Sequence, residues 1–555
     1  MRTILHRNSF FYLALFVASV LLFAPGQRQL PVTDRDEARF VQATRQMIQS
    51  GDYVVVRFQE ELRAKKPAGI YWLQSASVKL FGDASQAQVW PYRLPSLLAT
   101  IASVLLTFYF AHRLFNRTVA GLASIGLAST LLVGMEAHLA TTDATQLFCA
   151  VVAQGCLALL YVAARERSRI SPAVSLVFWI ALGASILVKG PVVLAIVLLT
   201  MLALSVADRD RHWLLTLRPG LGVLLLLVMI GPWMWMVSRR TEGVFLSRAI
   251  HEDLLPKLMG GHEGHGAPPG SYVVALLLTF WPASVFLWPA LFAAWQRRHT
   301  AAIRFLLAWS LMGWAMFELV PTKLPHYTLP LYPALLMLIC AMLATSEDGT
   351  RDTLKSRASM VWYAVWSVFT LALALAVLWL PMRFGGGFSW RAISASVAML
   401  ACTALFWWSF RKSLPRTFVT IAACGAIAQI SLIAGVLPIL SDLWVSERIV
   451  EVRRTLAPIA NIVAVGYSEP SLVFLGGTNT QLTSAAHAAE LMKASGQTVA
   501  LIEERDLATF VAALPASTVL TEKTVIRGFN YSGGKPVALH VFMHSPESRV
   551  ALSKP

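Results

Sequence analysis

About thirteen apolar runs of membrane-spanning length constrain this chain more than any other feature. They lie near 9–25, 94–112, 118–136, 144–164, 174–188, 191–207, 217–237, 271–294, 303–320, 328–345, 360–381, 392–410 and 417–439. A helix needs roughly 17–25 predominantly apolar residues to cross a bilayer. Only 14% of the 555 residues are charged and 56% are hydrophobic, whereas soluble domains carry about 25% charged residues. The expected fold is therefore mainly α, a polytopic membrane protein.

The net charge of +17 does not mark a nucleic-acid binder, because of where the charge sits. Lys and Arg cluster in alternate short loops: Arg113 and Arg117, Arg165, Arg167 and Arg169, Arg209, Arg211 and Arg218, Arg297, Arg298 and Arg304, Arg351, Lys355 and Arg357, and Arg411, Lys412 and Arg416. By the positive-inside rule these loops are cytoplasmic. The N-terminus is then inside, and an odd number of spans puts the tail outside. The first run has basic flanks but no small-residue cleavage site, so a retained helix is expected. Cys149, Cys156, Cys340, Cys402 and Cys424 all fall inside apolar runs; they read as buried thiols that pack as small hydrophobes.

Three polar regions interrupt the membrane pattern, all on the outer side. The first loop, 27–90, carries Asp36, Glu37, Arg39, Arg57, Lys65 and Lys66. The second, 238–270, has helix-like spacing and then a Gly/Pro-rich half. The third, 441–555, returns to soluble composition. Its segments IVAVGY, TVALIEE and ALHVFMH read as strands, and AAHAAELMKA and DLATFVAAL as helices. The expected division is a membrane domain over 1–440, with its active site built by loops 27–90 and 238–270, and a small periplasmic α/β domain over 441–555. That second domain carries no phosphate loop, metal spacing or triad and reads as a cap.

Each polar cluster has a structural and a chemical reading. Asp36-Glu37 can place acids in a first helical turn, or supply a general base or orienting group for an acceptor. Lys66 can snorkel, or act as a point charge on a phosphate. Asp143, at the mouth of a span beside Thr141 and Thr142, is an N-cap or a functional intramembrane acid. Lys189-Gly190-Pro191 is an anchor or a phosphate ligand. His262-Glu263-Gly264-His265 contains two imidazoles and a carboxylate, but zinc sites require three or four ligands. Glu263 and His265 are thus fragmentary candidates for a divalent metal, and no cofactor follows from the sequence. Lys323, His326 and Tyr327 form an interfacial belt or a polar contact set. Random anchoring would spread such clusters over both faces, whereas here all share one.

Asp36-Glu37-x-Arg39-Phe40, Ser50-Gly51-Asp52-Tyr53, Arg57, Lys66-Pro67 and Tyr71-Trp72 resemble the first exported loop of bacterial aminoarabinose transferases. Those enzymes belong to the protein O-mannosyltransferase-like branch of the GT-C glycosyltransferases. Thr142-Asp143, Lys189-Gly190-Pro191, His265-Gly-Ala-Pro and the stretch from Lys323 to Pro333 resemble its later landmarks in the same order. The resemblance covers roughly residues 1–440. It implies a GT-C-like fold of about thirteen helices and catalytic roles for Asp36 and Asp143. It also implies substrate contacts from Glu37, Arg39, Arg57, Lys66, Lys189, Lys257, His265, Lys323, His326 and Tyr327. Two departures stand out: Lys65 replaces an acid before Lys66-Pro67, and Phe40 replaces a Tyr.

The implied function is transfer of a sugar from a polyprenyl (undecaprenyl) phosphate donor to an envelope acceptor, lipid A or a related glycolipid, at the periplasmic face of the bacterial inner membrane. Rival readings are a protein O-mannosyltransferase-like enzyme with a protein acceptor and a flippase for lipid-linked sugars. The tail lacks a sugar-binding trefoil repeat. The acids sit at one interface rather than in discontinuous mid-membrane helices of repeated halves, as transporters place them.

Overall fold

The structure, a computed structural model, describes residues 2–256, 266–345, 347–494, 498–515, 518 and 520–544. All thirteen apolar runs are helical. Among the described residues nine helices are long and apolar enough to cross a membrane, ten if one bent pair counts as a single span. The pair is α5 (Arg117–Ser129) and α6 (Leu131–Ala137), bent by 64°. At the break Thr130 Oγ1 donates back to Gly126 O at 2.8 Å, and the Leu131 amide donates to Trp281 O at 3.1 Å. Ser9–Phe23, Val192–Asp208 and Ala283–Gln296 are shorter apolar helices. The chain is a multi-pass membrane protein.

Four outer-side elements precede or begin the spans that frame the site. Helix α1 (Arg2–Phe23) leads into a loop, and α2 (Asp36–Ser50) follows, amphipathic and lying outside the spans. A two-residue hairpin, β1 (Arg57–Phe58) with β2 (Glu61–Leu62), leads to α3 (Gly69–Phe81). A Cβ at Gly69 would stand 2.7 Å from Leu187 O. Glycine there lets α3 close onto α8 (Pro172–Lys189), so the loop before α3 lies beside Lys189.

Glu37 and Arg93, in the first turn of α4 (Trp90–Leu114), hold this layer together. Arg93 uses all five N–H groups: two to Glu37 (2.7 and 2.9 Å) and three to the carbonyls of Gln27, Leu30 and Pro31. Glu37 also accepts from the Thr33 and Ala140 amides, both at 2.8 Å. The pair is 0% and 1% exposed. It ties the first loop, α2, α4 and the turn before α7 (Asp143–Arg165) into one piece.

The C-terminal unit is a five-stranded sheet in the order β4-β3-β5-β7-β6. Here β3 is Asn461–Val465, β4 Gln481–Thr483, β5 Thr498–Glu503, β6 Leu520–Asn530 and β7 Lys535–His544. Strand β3 pairs in parallel with β4 and β5, and β7 runs antiparallel to β5 and β6. All six residues of β5 are buried, as a central strand covered on both faces requires. Helix Val445–Leu456 packs on one face, Ala485–Ala494 and Leu507–Ala513 on the other. The expected strands and helices are present. Strands β4 and β6 and the helices Val445–Leu456 and Pro470–Gly476 are additional, β6 being a mixed-polarity edge strand without clean alternation.

Candidate active site

Helices α7 and α8 run antiparallel, so the first residue of one meets the last residue of the other. That puts Asp143 against Lys189 in an ion pair, with His326 Nε2 3.9 Å from Asp143 Oδ1. The Asp143 side chain is not the helix cap: Thr142 occupies the N-cap and no side chain caps there. At 8% exposure this carboxylate is stabilised by the α7 N-terminus and by its two basic neighbours.

Around it lies a polar chamber of about 430 Å³, lined by Asp36, Arg39, Lys65, Lys66, Glu136, Asp143, Lys189, Asp253, His326 and Tyr327 among others. Asp36 opens α2 and is exposed; its carboxylate forms no hydrogen bond or ion pair with the described residues. Lys66 Nζ lies 3.4 Å from Asp253 Oδ2. Adjoining the chamber is an apolar cavity of about 510 Å³, walled by Ile186, Leu187, Ile230, Trp233, Met234, Phe245, Leu246, Ile250, Met316 and Phe317. Seven residues line both: Lys65, Lys66, Asp143, Lys189, Asp253, His326 and Tyr327. The boundary between oily and polar space is therefore studded with three lysines.

The fold thus gathers Asp36, Arg39, Lys66, Asp143, Lys189, His326 and Tyr327 from five separate stretches of sequence. Three expected contacts are corrected. Glu37 borders the chamber, but its carboxylate is consumed by Arg93 and two backbone amides. Arg57 lies outside the chamber, on the β1–β2 hairpin, where its Nη1 donates to Glu60 O at 3.3 Å; it lines a separate polar depression with Asp52 and Thr478. Lys323, 4% exposed, turns its ammonium to the carbonyls of Phe317, Glu318 and Val320. It neutralises the C-terminal end of the helix Ala301–Leu319, a favourable place for a cation. Lys257, Glu263 and His265 lie outside the described residues. Among the described residues no group of three His, Cys, Asp or Glu could hold a metal ion.

Glu136, Asp253, Tyr531 and Ser532 are among the chamber residues that lie beyond the sequence reading. Glu136, 5% exposed, accepts from Thr141 Oγ1 at 3.1 Å; a lone acid in the apolar run 118–136 was a readable signal. Asp253 sits on a helical turn, Ala249–Leu254, that the sequence marks only as helix-like. Tyr531 and Ser532 come from the β6–β7 turn, so the C-terminal unit contributes a wall of the chamber rather than merely capping it. No local signal points there.

The C-terminal unit is pinned beside Asp36. Tyr531 OH accepts from the Asp34 amide at 2.6 Å, and Asp34 Oδ1 accepts from the Ser471 amide at 2.9 Å. Burial pushes the Asp34 carboxyl up to about 7, opposed by the Ser471 hydrogen bond and reinforced by Glu469. The folded chain then holds this proton at pH values where the unfolded chain, near 3.8, has lost it. Stability should fall as pH rises from about 4 through 7. Thermal unfolding in detergent is expected to give a lower midpoint at pH 8 than at pH 5, and Asp34→Asn to flatten that difference.

The sequence profile of the dolichyl-phosphate-mannose–protein mannosyltransferase family matches residues 65–235. An undecaprenyl phosphate-α-4-amino-4-deoxy-L-arabinose arabinosyl transferase of Pectobacterium carotovorum is 26% identical over 412 residues, 73% of this chain and 71% of that one. Its counterpart in Aeromonas hydrophila is 26% identical over 433 residues, 77% of each. The crystal structure of ArnT from Cupriavidus metallidurans bound to undecaprenyl phosphate superposes with a TM-score of 0.75 at 18% identity, covering 96% of this chain and 97% of that one. Its apo form gives 0.75 at 20% identity, covering 99% and 100%. The chain is a polytopic membrane glycosyltransferase with a GT-C-like fold, and its residues 65–235 match the protein mannosyltransferase family. Over about three quarters of its length it is similar to the aminoarabinose transferases.

Proposed function

We propose that this enzyme transfers a sugar, an aminoarabinose-type amino sugar, from a polyprenyl-phosphate carrier to a phosphorylated envelope glycolipid of the lipid A class at the periplasmic face of the inner membrane. The observation that carries this reading is the pair of adjoining cavities with three lysines at their junction. An apolar cavity suits a polyprenyl tail, the junction a phosphate, and the carboxylate-rich chamber a cationic amino sugar. The names of the arabinosyl transferases similar to this chain support the same donor.

In this reading an acceptor oxygen attacks the anomeric carbon as the bond from that carbon to the carrier phosphate breaks. The bonding pair stays on the phosphate oxygen, where Lys65, Lys66 and Lys189 stabilise the developing charge. Lys65 adds a cation at this point. Asp143 holds Lys189 and His326 in place. Asp36 is free to take the proton of a hydroxyl acceptor or, for a phosphate acceptor, to orient it. Arg39 and Tyr327 contact the substrates, and Tyr531 and Ser532 bound the acceptor side, away from the apolar cavity. We place the boundary between membrane and periplasmic domains near residue 440: Leu440 packs in the membrane core and Val445 in the core of the sheet unit.

Purified protein supplied with polyprenyl-phosphate aminoarabinose and phosphorylated lipid A is expected to yield lipid A heavier by one sugar in mass spectrometry. An unaltered acceptor, with the donor intact, would overturn the proposal.

A further inference from the structure

A third cavity, also about 430 Å³, lies where the loop between α3 and α4 meets the C-terminal unit. It is lined by Arg45, Arg453, Arg454, Gln86, Gln88 and Gly476 among others, and by no Asp or Glu among the described residues. The Arg45 guanidinium is committed, donating to the carbonyls of Ala84, Ser85 and Phe474 at 2.8 Å each. Arg453 donates through Nη1 to the carbonyls of Ala460 and Gly476, but its buried Nε has no partner. Arg454 is exposed and forms no hydrogen bond with the described residues. The carboxylates nearby, Glu447 and Glu451 on the same helix and Asp83 near Arg45, do not line the cavity; Asp83 accepts from Ser85 instead.

Capping the end of the helix Pro470–Gly476 explains one nitrogen of Arg453 and Nη1 of Arg45, and the loop carbonyls of Ala84 and Ser85 take the other Arg45 donors. It leaves a buried N–H without an acceptor, which is costly until one arrives. The depth of the cavity says what arrives. Gln88 lies two residues before Trp90, where the apolar span α4 begins, and the Arg28 guanidinium stacks 4.6 Å from that indole. Tryptophan at a span end sits at headgroup level. Guanidinium groups bind phosphate oxygens by paired, charge-assisted hydrogen bonds.

We propose that this cavity binds the phosphate of an envelope glycolipid headgroup. The choice of a glycolipid rests on the proposed function.

Binding of a phosphorylated glycolipid, of its dephosphorylated form and of polyprenyl phosphate to the full chain in detergent, read by native mass spectrometry, tests this without turnover. Arg454→Gln, and Arg453→Gln with Arg454→Gln, are expected to weaken the phosphorylated glycolipid roughly tenfold or more and to leave polyprenyl phosphate binding unchanged. Arg454→Lys retains most of the affinity. Equal binding of the dephosphorylated lipid, or unchanged binding by Arg454→Gln, overturns the proposal. So does full displacement of the lipid by equimolar inorganic phosphate, which would make this a free-anion site. A failed transfer assay bears on the proposed function and leaves this measurement intact.

Discussion

Asp143→Asn is expected to lower the transfer rate by about 10²–10⁴-fold, with folding and polyprenyl-phosphate binding retained. The substitution keeps the volume and the Thr142 contact but removes the charge facing both Lys189 and His326. Lys189 then loses the partner that aims its ammonium at the cavity junction, and the chamber gains net positive charge where an amino sugar must sit. The loss should fall on kcat more than on KM, because the interaction matters most as charge develops on the leaving phosphate. Asp36→Asn should show a comparable fall for a hydroxyl acceptor and a smaller one for a phosphate acceptor, which needs no deprotonation. Single-turnover kinetics on the purified variants checks both; full activity of Asp143→Asn would remove it from the site.

Glu37→Ala is expected to cost about 3–5 kcal/mol of stability, enough to abolish folding of a marginal protein. The Arg93 guanidinium would remain buried with three carbonyls and no counter-charge, and the Ala140 amide would lose its acceptor. Replacing both partners, Glu37→Leu with Arg93→Met, should recover only part of the loss, because the carbonyls of Gln27, Leu30 and Pro31 would lose their donor. Thermal unfolding followed by fluorescence-detected size exclusion measures the cost. A Glu37→Ala protein as heat-stable as the wild type would show that the network is not what holds the loop.

These two neighbours, Asp36 and Glu37, show where sequence reading ends. In sequence they are an acid pair at a helix start, and both carry the same chemical potential for catalysis. In the structure a single residue step around α2 turns Asp36 toward the chamber and Glu37 into the protein. The same holds for the lysines. Lys189 and Lys323 both stand at outer span ends beside apolar runs, yet one faces Asp143 at the cavity junction and the other folds back on the carbonyls of its preceding helix. Local composition cannot separate such pairs: Glu37 meets Arg93 and Lys189 meets Asp143, each distant in sequence, while Lys323 is decided by how the chain turns back onto nearby carbonyls.

The sequence by itself determined the class of the protein. Apolar run length fixed a polytopic helical body, loop charge fixed which polar segments share a side, and strand patterning in the tail fixed a small α/β unit. Those properties are local or additive along the chain, so they survive without coordinates. Tertiary structure decided the site. The α7–α8 hairpin made Asp143 and Lys189 neighbours, close packing at Gly69 brought Lys65 and Lys66 beside them, and the β6–β7 turn carried Tyr531 and Ser532 to Asp34. Each of these is a contact across tens to hundreds of residues, set by how helices and sheet pack, and packing leaves no periodic trace in the sequence.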